Sequence, residues 1–253
     1  MPVMNARFDM EAVPPLGANP ECSAESDRGN HASKPLIPNR DCETAPPIRP
    51  CAAMPSLPDP ASQPLILASA SPRRRELLSE AGYAFEIVKP EIEEIDDPSR
   101  SIQALTRTNA RLKAEAVARR FPDRIVIAAD TLVLRDNTAL GKPADADAAF
   151  AMVKSLNGRT HQVFTAVCVT AEAAGHEIEF SVVTNVTFKT LTDDELRRYH
   201  SLIDPMDKAG AYAAQDHGDL IIERVEGSWT NVVGLPMERL ADVLAEDFGV
   251  KPA

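Results

Sequence analysis

The sequence predicts an α/β fold, with helices packed on a sheet, and three observations carry that reading. Residues 65–68 and 125–129 are short continuous apolar runs, the mark of strands buried on both faces. They alternate with helical-period segments at 72–81, 101–120 and 145–156, as in a sheet built with crossover helices. Two long β patterns follow at 161–171 and 177–191, with the turn 172–176 between them suiting a hairpin.

Taken in order, residues 1–63 hold 12 of the 21 prolines and a single aromatic, Phe8, with no helical or alternating period. Such a segment buries too little apolar surface to offset its ordering entropy, so it is expected to be a disordered extension before a domain at 64–253. It reads equally as an upstream start, with Met54 the nearest downstream candidate. After strand 65–68, Ser69-Ala-Ser71 makes a tight loop and Pro72 starts a helix that Gly82 ends. Ser71 is the expected N-cap, its hydroxyl accepting from a first-turn N–H, and Pro72 suits the first helical position. Leu77, Leu78 and Ala81 form the apolar stripe. Arg73, Arg74 and Arg75 then face the positive end of the helix dipole at a cost of ~0.3–1 kcal/mol each. An anion offsets that cost, and serine hydroxyls, free N–H groups and guanidinium forks after a strand make a phosphate cradle.

Residues 84–88 read as a second strand, and 90–98 as an acidic loop bounded by prolines that carries Glu93 and Glu94. In helix 101–120, Ile102, Leu105, Leu112, Ala116 and Val117 form one face, while Asn109 and Lys113 lie a turn apart on another. Strand 125–129 ends in Asp130-Thr131, and residues 132–134 continue extended into the Asp136-Asn137 turn. A carboxylate ending a buried strand stands where ligands of open α/β sheets gather, and it needs a hydrogen bond, a metal or a shifted pKa. Lys142 lies in the rigid Gly141-Lys142-Pro143 loop, and Asp145 caps the next helix, which Asn157-Gly158 ends. In that helix Ala148, Ala149, Met152, Val153 and Leu156 are expected to face inward. Thr192 and Glu195 form a capping box for a helix to about Leu202. Residues 204–215 have the small and polar composition of a site loop ending at Gln215; 220–222 is a short strand; 227–236 is a turn-rich loop; and Pro236 opens a last helix to about Phe248.

Composition narrows the function. The chain has 253 residues, 44% of them hydrophobic, and a formal net charge of −11. That charge disfavours general nucleic-acid binding and suits a small phosphorylated ligand held at a local basic site. No window approaches the ~20 apolar residues of a membrane span. Cys22, Cys42, Cys51 and Cys168 form no C-x-x-C pair, and the histidines show no metal-ligand spacing, with His161 read as structural. No basic start followed by an apolar run is visible, so the expected location is cytoplasmic. The arginine cradle, two lysines and the carboxylates match the needs of polyphosphate hydrolysis, in which cations hold phosphates and a carboxylate orients or deprotonates water. A nucleotide-binding regulator that does not turn its ligand over is the alternative; it needs only the cradle.

These residues also resemble a known family. Ser69-Ala-Ser71-Pro72-Arg73-Arg74, Ala129-Asp130-Thr131, Gly141-Lys142-Pro143, Lys208-Ala-Gly210-Ala-Tyr212 with Gln215, and Asn231-Val-Val-Gly-Leu-Pro236 occur in the order found in the Maf (septum-formation-inhibitor-like) nucleoside triphosphate pyrophosphatases. The resemblance covers about residues 64–248. It implies a mixed twisted sheet flanked by helices, akin to inosine triphosphate pyrophosphatases, with the cleft at strand ends. It further implies a homodimer and cleavage of a nucleoside triphosphate to the monophosphate and pyrophosphate with a divalent cation, Mg²⁺ or Mn²⁺. Carried over by motif, Asp130 is the proton acceptor or a metal ligand, and Glu94, or Glu93 beside it, is the acidic-loop metal ligand. Lys113, Lys142, Ser69, Ser71, Arg73 and Arg74 hold phosphates. Arg73, Thr131 and Gln215 resemble the branch acting on dTTP and UTP. Where the family commonly reads Ile-Gln-Gly, this chain reads Ala214-Gln215-Asp216-His217-Gly218.

Overall fold

The structure is a computed structural model that describes residues 63–252 apart from Pro98 and Asn137. The expected disordered extension, except for Gln63, lies outside the described residues, as do Cys22, Cys42 and Cys51.

Strand β1 (Leu65–Leu67) runs into helix α1 (Pro72–Glu80), which crosses over to β2 (Phe85–Ile87). The two strands are parallel, and β1 also pairs in parallel with β3 (Ile125–Arg135) after helix α2 (Ile102–Ala118). Parallel neighbours need such crossovers, whereas antiparallel ones need only a turn. The rest is antiparallel: β3 with β4 (Thr138–Leu140), β3 with β5 (Thr160–Ala171), β5 with β6 (His176–Phe188), and β6 with β7 (Ile222–Glu226). The resulting seven-stranded mixed sheet has the order β2-β1-β3-β5-β6-β7, with β4 on the edge of β3. Helices α3 (Ala146–Leu156), α4 (Asp193–His200), α5 (Trp229–Val233) and α6 (Met237–Glu246) complete the described elements longer than a single 3₁₀ turn.

Strand alternation divides the core. Leu65, Leu67, Ile125, Ile127 and Ala129 face α6 and Leu78 of α1, whereas Ile66, Val126 and Ala128 face Ala110, Ala114 and Val117 of α2. A third cluster packs Val133, Val163, Val186 and Phe188 against α3, α4 and Tyr212.

Several expectations shift. Asp130 does not end a strand; β3 runs through it and pairs it with Ala166 of β5. On its other edge, β1 pairs only with Val126 and Ile127, and β4 only from Val133 onward. The stretch between has a free ladder edge, and that gap is the mouth of the cleft. In α2, Asn109 and Lys113 lie on the buried face with Ile102 and Leu105, while Leu112 and Ala116 are half-buried; counted from Ile102, the offsets of Asn109 and Lys113 complete near-integral turns. Residues 218–220 form a 3₁₀ turn with the strand beginning at Ile222, and 229–233 form the short helix α5, capped by the Ser228 hydroxyl accepting from the Asn231 N–H. Glycine and proline spacing read as a loop there, because one helical turn is too short to show a period. The capping box at Thr192 and Glu195 and the Asp145 cap form as expected.

Candidate active site

Opposite alternation on β3 creates the site. Asp130 shares the face of Val126 and Ala128, toward α2, and Lys113 rises from α2 to meet it. Lys113 Nζ donates to Asp130 Oδ1 at 2.6 Å and lies 2.9 Å from Glu94 Oε1, and the side chains of Lys113 and Asp130 are each only 8% exposed. Charges buried this far are stable only when paired. Asn109, a turn before Lys113, places the third member. Its Oδ1 accepts from the Ile95 N–H at 2.9 Å and its Nδ2 donates to the Ile95 carbonyl at 3.0 Å. This clamps the acidic loop beside Glu94 as a neighbouring strand would. Partial burial pushes the Glu94 carboxyl up, but the charge and hydrogen bond of Lys113, helped by Lys142 and Arg74, hold it below its ordinary value. Glu94 lines the cleft and Glu93 does not.

Thr131, one residue on, faces the opposite side and meets Arg74. The Arg74 guanidinium donates to the Gly234 carbonyl (2.8 Å), the Ala129 carbonyl (2.9 Å), Thr131 Oγ1 (2.9 Å) and Ser69 Oγ (3.4 Å). It fills the gap in the β3 ladder and braces the opening loop, the strand and the turn after α5 against one another. Burial, with the charge of Arg73, lowers its pKa against the pull of Asp130 and Glu94. The Thr131 hydroxyl also shares a 3.0 Å hydrogen bond with Thr165, so its partners are protein groups. Ser71 stands at the N-cap of α1 but its side chain makes no cap; instead its N–H donates to Ser69 Oγ at 3.1 Å. The Ser71 hydroxyl is thereby left to the cleft, which it lines. Arg73 is held by Asp207, with Nη1 to Oδ2 at 2.8 Å, and Arg75 is exposed beside Glu76.

The cleft has a volume of about 760 Å³ and is lined by Ser69, Ser71, Arg73, Arg74, Glu94, Lys113, Asp130, Thr131, Lys142 and Gln215. Every site residue read from the sequence therefore reaches one cavity. Lys142 is exposed, and among the described residues it has no hydrogen-bond or ion-pair partner. The loop from Asp204 to Gln215 forms the far wall. Gly210 (φ 75°) and Ala211 (φ 58°) turn it sharply, and a side chain at Gly210 would meet Val133 at 3.0 Å; glycine is required there. Gly210 N–H donates to the Gly141 carbonyl at 3.1 Å, tying this loop to the one that carries Lys142. Gln215 is exposed, its Nε2 donating to Asp216 Oδ2 at 3.3 Å, and its carbonyl oxygen has no hydrogen-bond partner among the described residues. His161 is buried beneath the loop, its Nε2 3.0 Å from the Tyr212 hydroxyl, and burial pushes it down to about 4. The sequence reading missed Asn109 as the clamp and Asp207 as the partner of Arg73. Asn109 was detectable from its spacing on the Ile102 stripe, whereas nothing local marks Asp207, whose partner lies across the chain.

A family profile described as Maf-like protein matches residues 64–247, the stretch that supplies every side chain of the cleft. The chain belongs to the Maf-like protein family. Relatives of this Maf-like chain include the dTTP/UTP pyrophosphatase of Akkermansia muciniphila, 48% identical over 174 residues that cover 69% of this chain and 91% of that protein. Those of Syntrophomonas wolfei (45% over 180 residues, 71% and 95%) and Bdellovibrio bacteriovorus (42% over 187 residues, 72% and 97%) carry the same name. Among solved structures, the Staphylococcus aureus Ham1 protein matches at a TM-score of 0.33 and 13% identity, over 49% of this chain and 71% of that one, a likeness too loose to bear on fold or function. Among the described residues no helix is long and apolar enough to cross a membrane.

Proposed function

We propose that this Maf-like protein hydrolyses dTTP and UTP to the nucleoside monophosphate and pyrophosphate, with a divalent cation. The observation that carries the reading is the buried Asp130–Lys113 pair, with the exposed Glu94 on the same ammonium, at the mouth of a cleft whose other wall is basic. A regulator that only bound nucleotide would have no use for a buried, lysine-held carboxylate at the ladder gap, so we favour the enzyme.

In this mechanism Lys142, Ser71 and the N–H groups at the start of α1 bind the polyphosphate, and Arg74 keeps their loop in register with β3. Asp130 Oδ2, the oxygen that Lys113 leaves open, takes the proton of a water attacking the α-phosphorus. The new P–O bond forms as the bond to the bridging oxygen breaks, and that electron pair leaves with pyrophosphate. Glu94 keeps Oε2 outside the Lys113 contact, a hard-oxygen donor that would suit Mg²⁺ or Mn²⁺ with waters and substrate phosphates as further ligands, and Asp130 Oδ2 would bind the cation only in place of its role as proton acceptor. When bound there, the cation would neutralise phosphate charge. At the far end, the carbonyl oxygen of Gln215 accepts from N3–H of a uracil or thymine ring. The family resemblance is what supports a homodimer, which light scattering tests, and cell fractionation tests the expected cytoplasmic location.

The decisive experiment is a pyrophosphate-release assay over canonical and modified triphosphates with Mg²⁺, with Mn²⁺ and with chelator. We expect kcat/KM for dTTP and UTP to exceed that for dATP, GTP and 7-methyl-GTP, and chelation to abolish turnover. A preference for purine triphosphates refutes the substrate reading; full activity in chelator refutes the metal.

A further inference from the structure

Arg73 and Arg74 are adjacent in sequence but are engaged differently. Arg74 is a brace among backbone carbonyls and hydroxyls. Arg73 is gripped by one residue of the far loop: Asp207 accepts from its Nη1 at Oδ2 (2.8 Å) and from its Nη2 at the backbone carbonyl (3.3 Å). The other carboxylate oxygen of Asp207 accepts from Lys208 Nζ at 2.6 Å, and this buried ammonium also donates to the Asp204 carbonyl at 2.7 Å. Arg73, Asp207 and Lys208 all line the cleft. Partial burial pushes the Asp207 carboxyl up, but Lys208 and Arg73 more than offset this and hold it below its ordinary value, so it stays ionised at neutral pH.

Two acceptors on one residue fix the plane of the guanidinium, and one of them is a full negative charge. The charge of Arg73 is therefore compensated before any ligand enters. A compensated guanidinium attracts a polyphosphate less than the unpaired ammonium of Lys142 does. As a hydrogen-bond donor to a neutral carbonyl it is undiminished, because the N–H groups not taken by Asp207 remain. Asp207 also belongs to the loop that ends at Gln215, so the same ion pair joins the opening helix to the base side of the cleft.

We propose that Asp207 is a positioning residue for base recognition, turning Arg73 from a phosphate ligand into a donor aimed at a carbonyl of the pyrimidine ring. This rests on the pyrimidine triphosphate reading above and assigns Asp207 a role within it.

The test compares a substrate that has a base with a ligand that has none. Asp207→Asn keeps the side-chain size and removes its charge. We expect kcat/KM for UTP to fall about tenfold, mainly through KM, as a site that hydrogen-bonds its substrate loses that alignment. The Kd of tripolyphosphate, measured by calorimetry, is expected to stay within about twofold or to tighten, since a negative charge has left the cleft. Asp207→Glu, which keeps the charge, recovers part of the UTP loss. In an Arg73→Met background, Asp207→Asn has no further effect on UTP, because its action runs through that guanidinium. UTP and tripolyphosphate weakening together would show that Arg73 serves phosphates and overturn the proposal. Unchanged UTP kinetics, or a loss that adds to that of Arg73→Met as a loosened loop would produce, overturns it equally. A wild-type enzyme that prefers GTP to UTP refutes the parent reading first and takes this inference with it.

Discussion

At the end of the cleft proposed for chemistry, Lys113 from α2 and Asp130 from β3 come from the middle of regular elements, both buried and joined at 2.6 Å, and the acidic loop adds Glu94. The base end takes Asp207 and Gln215 from a loop turned by consecutive left-handed residues, and both are exposed or half-exposed. At the first end, the sheet and helix hold the reacting groups even without ligand, as a reaction sensitive to small displacements requires. At the second, ion pairs and single hydrogen bonds set the shape, so under the proposed function substitutions there are expected to change which ligand fits more than they change the reaction. Strand alternation keeps the two ends apart: Asp130 and Thr131 are neighbours in sequence yet face opposite sides of β3.

The largest effect is expected at the chemical end. Asp130→Asn removes the proposed proton acceptor and should lower kcat by ~10²–10⁴-fold, with nucleotide affinity changed far less. Steady-state kinetics with a parallel binding measurement decides this, and near-normal turnover would remove Asp130 from the mechanism.

The next prediction concerns what lies under the loop. His161 is neutral in the folded state with a pKa of about 4, against 6.5 in the unfolded chain. The unfolded chain binds the proton first, so the contribution of His161 is fully present above about pH 6.5 and is lost as the pH falls toward 4, with a total of roughly 3 kcal/mol. Urea denaturation at a series of pH values should show that slope, and His161→Phe should flatten it. An equally steep slope in the variant would assign the acid sensitivity to other groups.

At the base end, Gln215→Glu puts a carboxylate where the amide now donates to Asp216, so the two acids repel and the acceptor oxygen moves off the base edge. It should lower kcat/KM for dTTP and UTP by about tenfold through base binding alone, and tripolyphosphate affinity should barely move. Equal cleavage of dTTP and UTP by wild type and variant would exclude Gln215 from recognition. The smallest effect is expected outside both ends. Deleting residues 1–60, which lie beyond the matched family segment, should leave melting temperature and turnover almost unchanged, because a segment of that composition packs against little. A drop of several degrees by calorimetry would show that it docks.

Local patterns carried much of this protein. Apolar runs and helical periods placed the sheet core and α1, α2 and α3, because burial on one face or two leaves a signature within a few residues. Caps at Asp145 and Thr192 were readable because their partners sit three residues away. The arginines after Ser69-Ala-Ser71 and Asp130 after its apolar run stood out locally, whereas Glu94, Lys113, Lys142 and Gln215 took site roles only from the family resemblance. What each of them touches was decided only in three dimensions. The break in the β3 ladder depends on where β1 stops and β4 starts, a register that no single segment contains. The division of labour between Arg73 and Arg74 depends on acceptors at Asp207, Gly234, Ala129 and Thr131, brought together from across the chain. A side chain's chemical type is local, but its charge balance and free hydrogen-bonding valence belong to its neighbours in space.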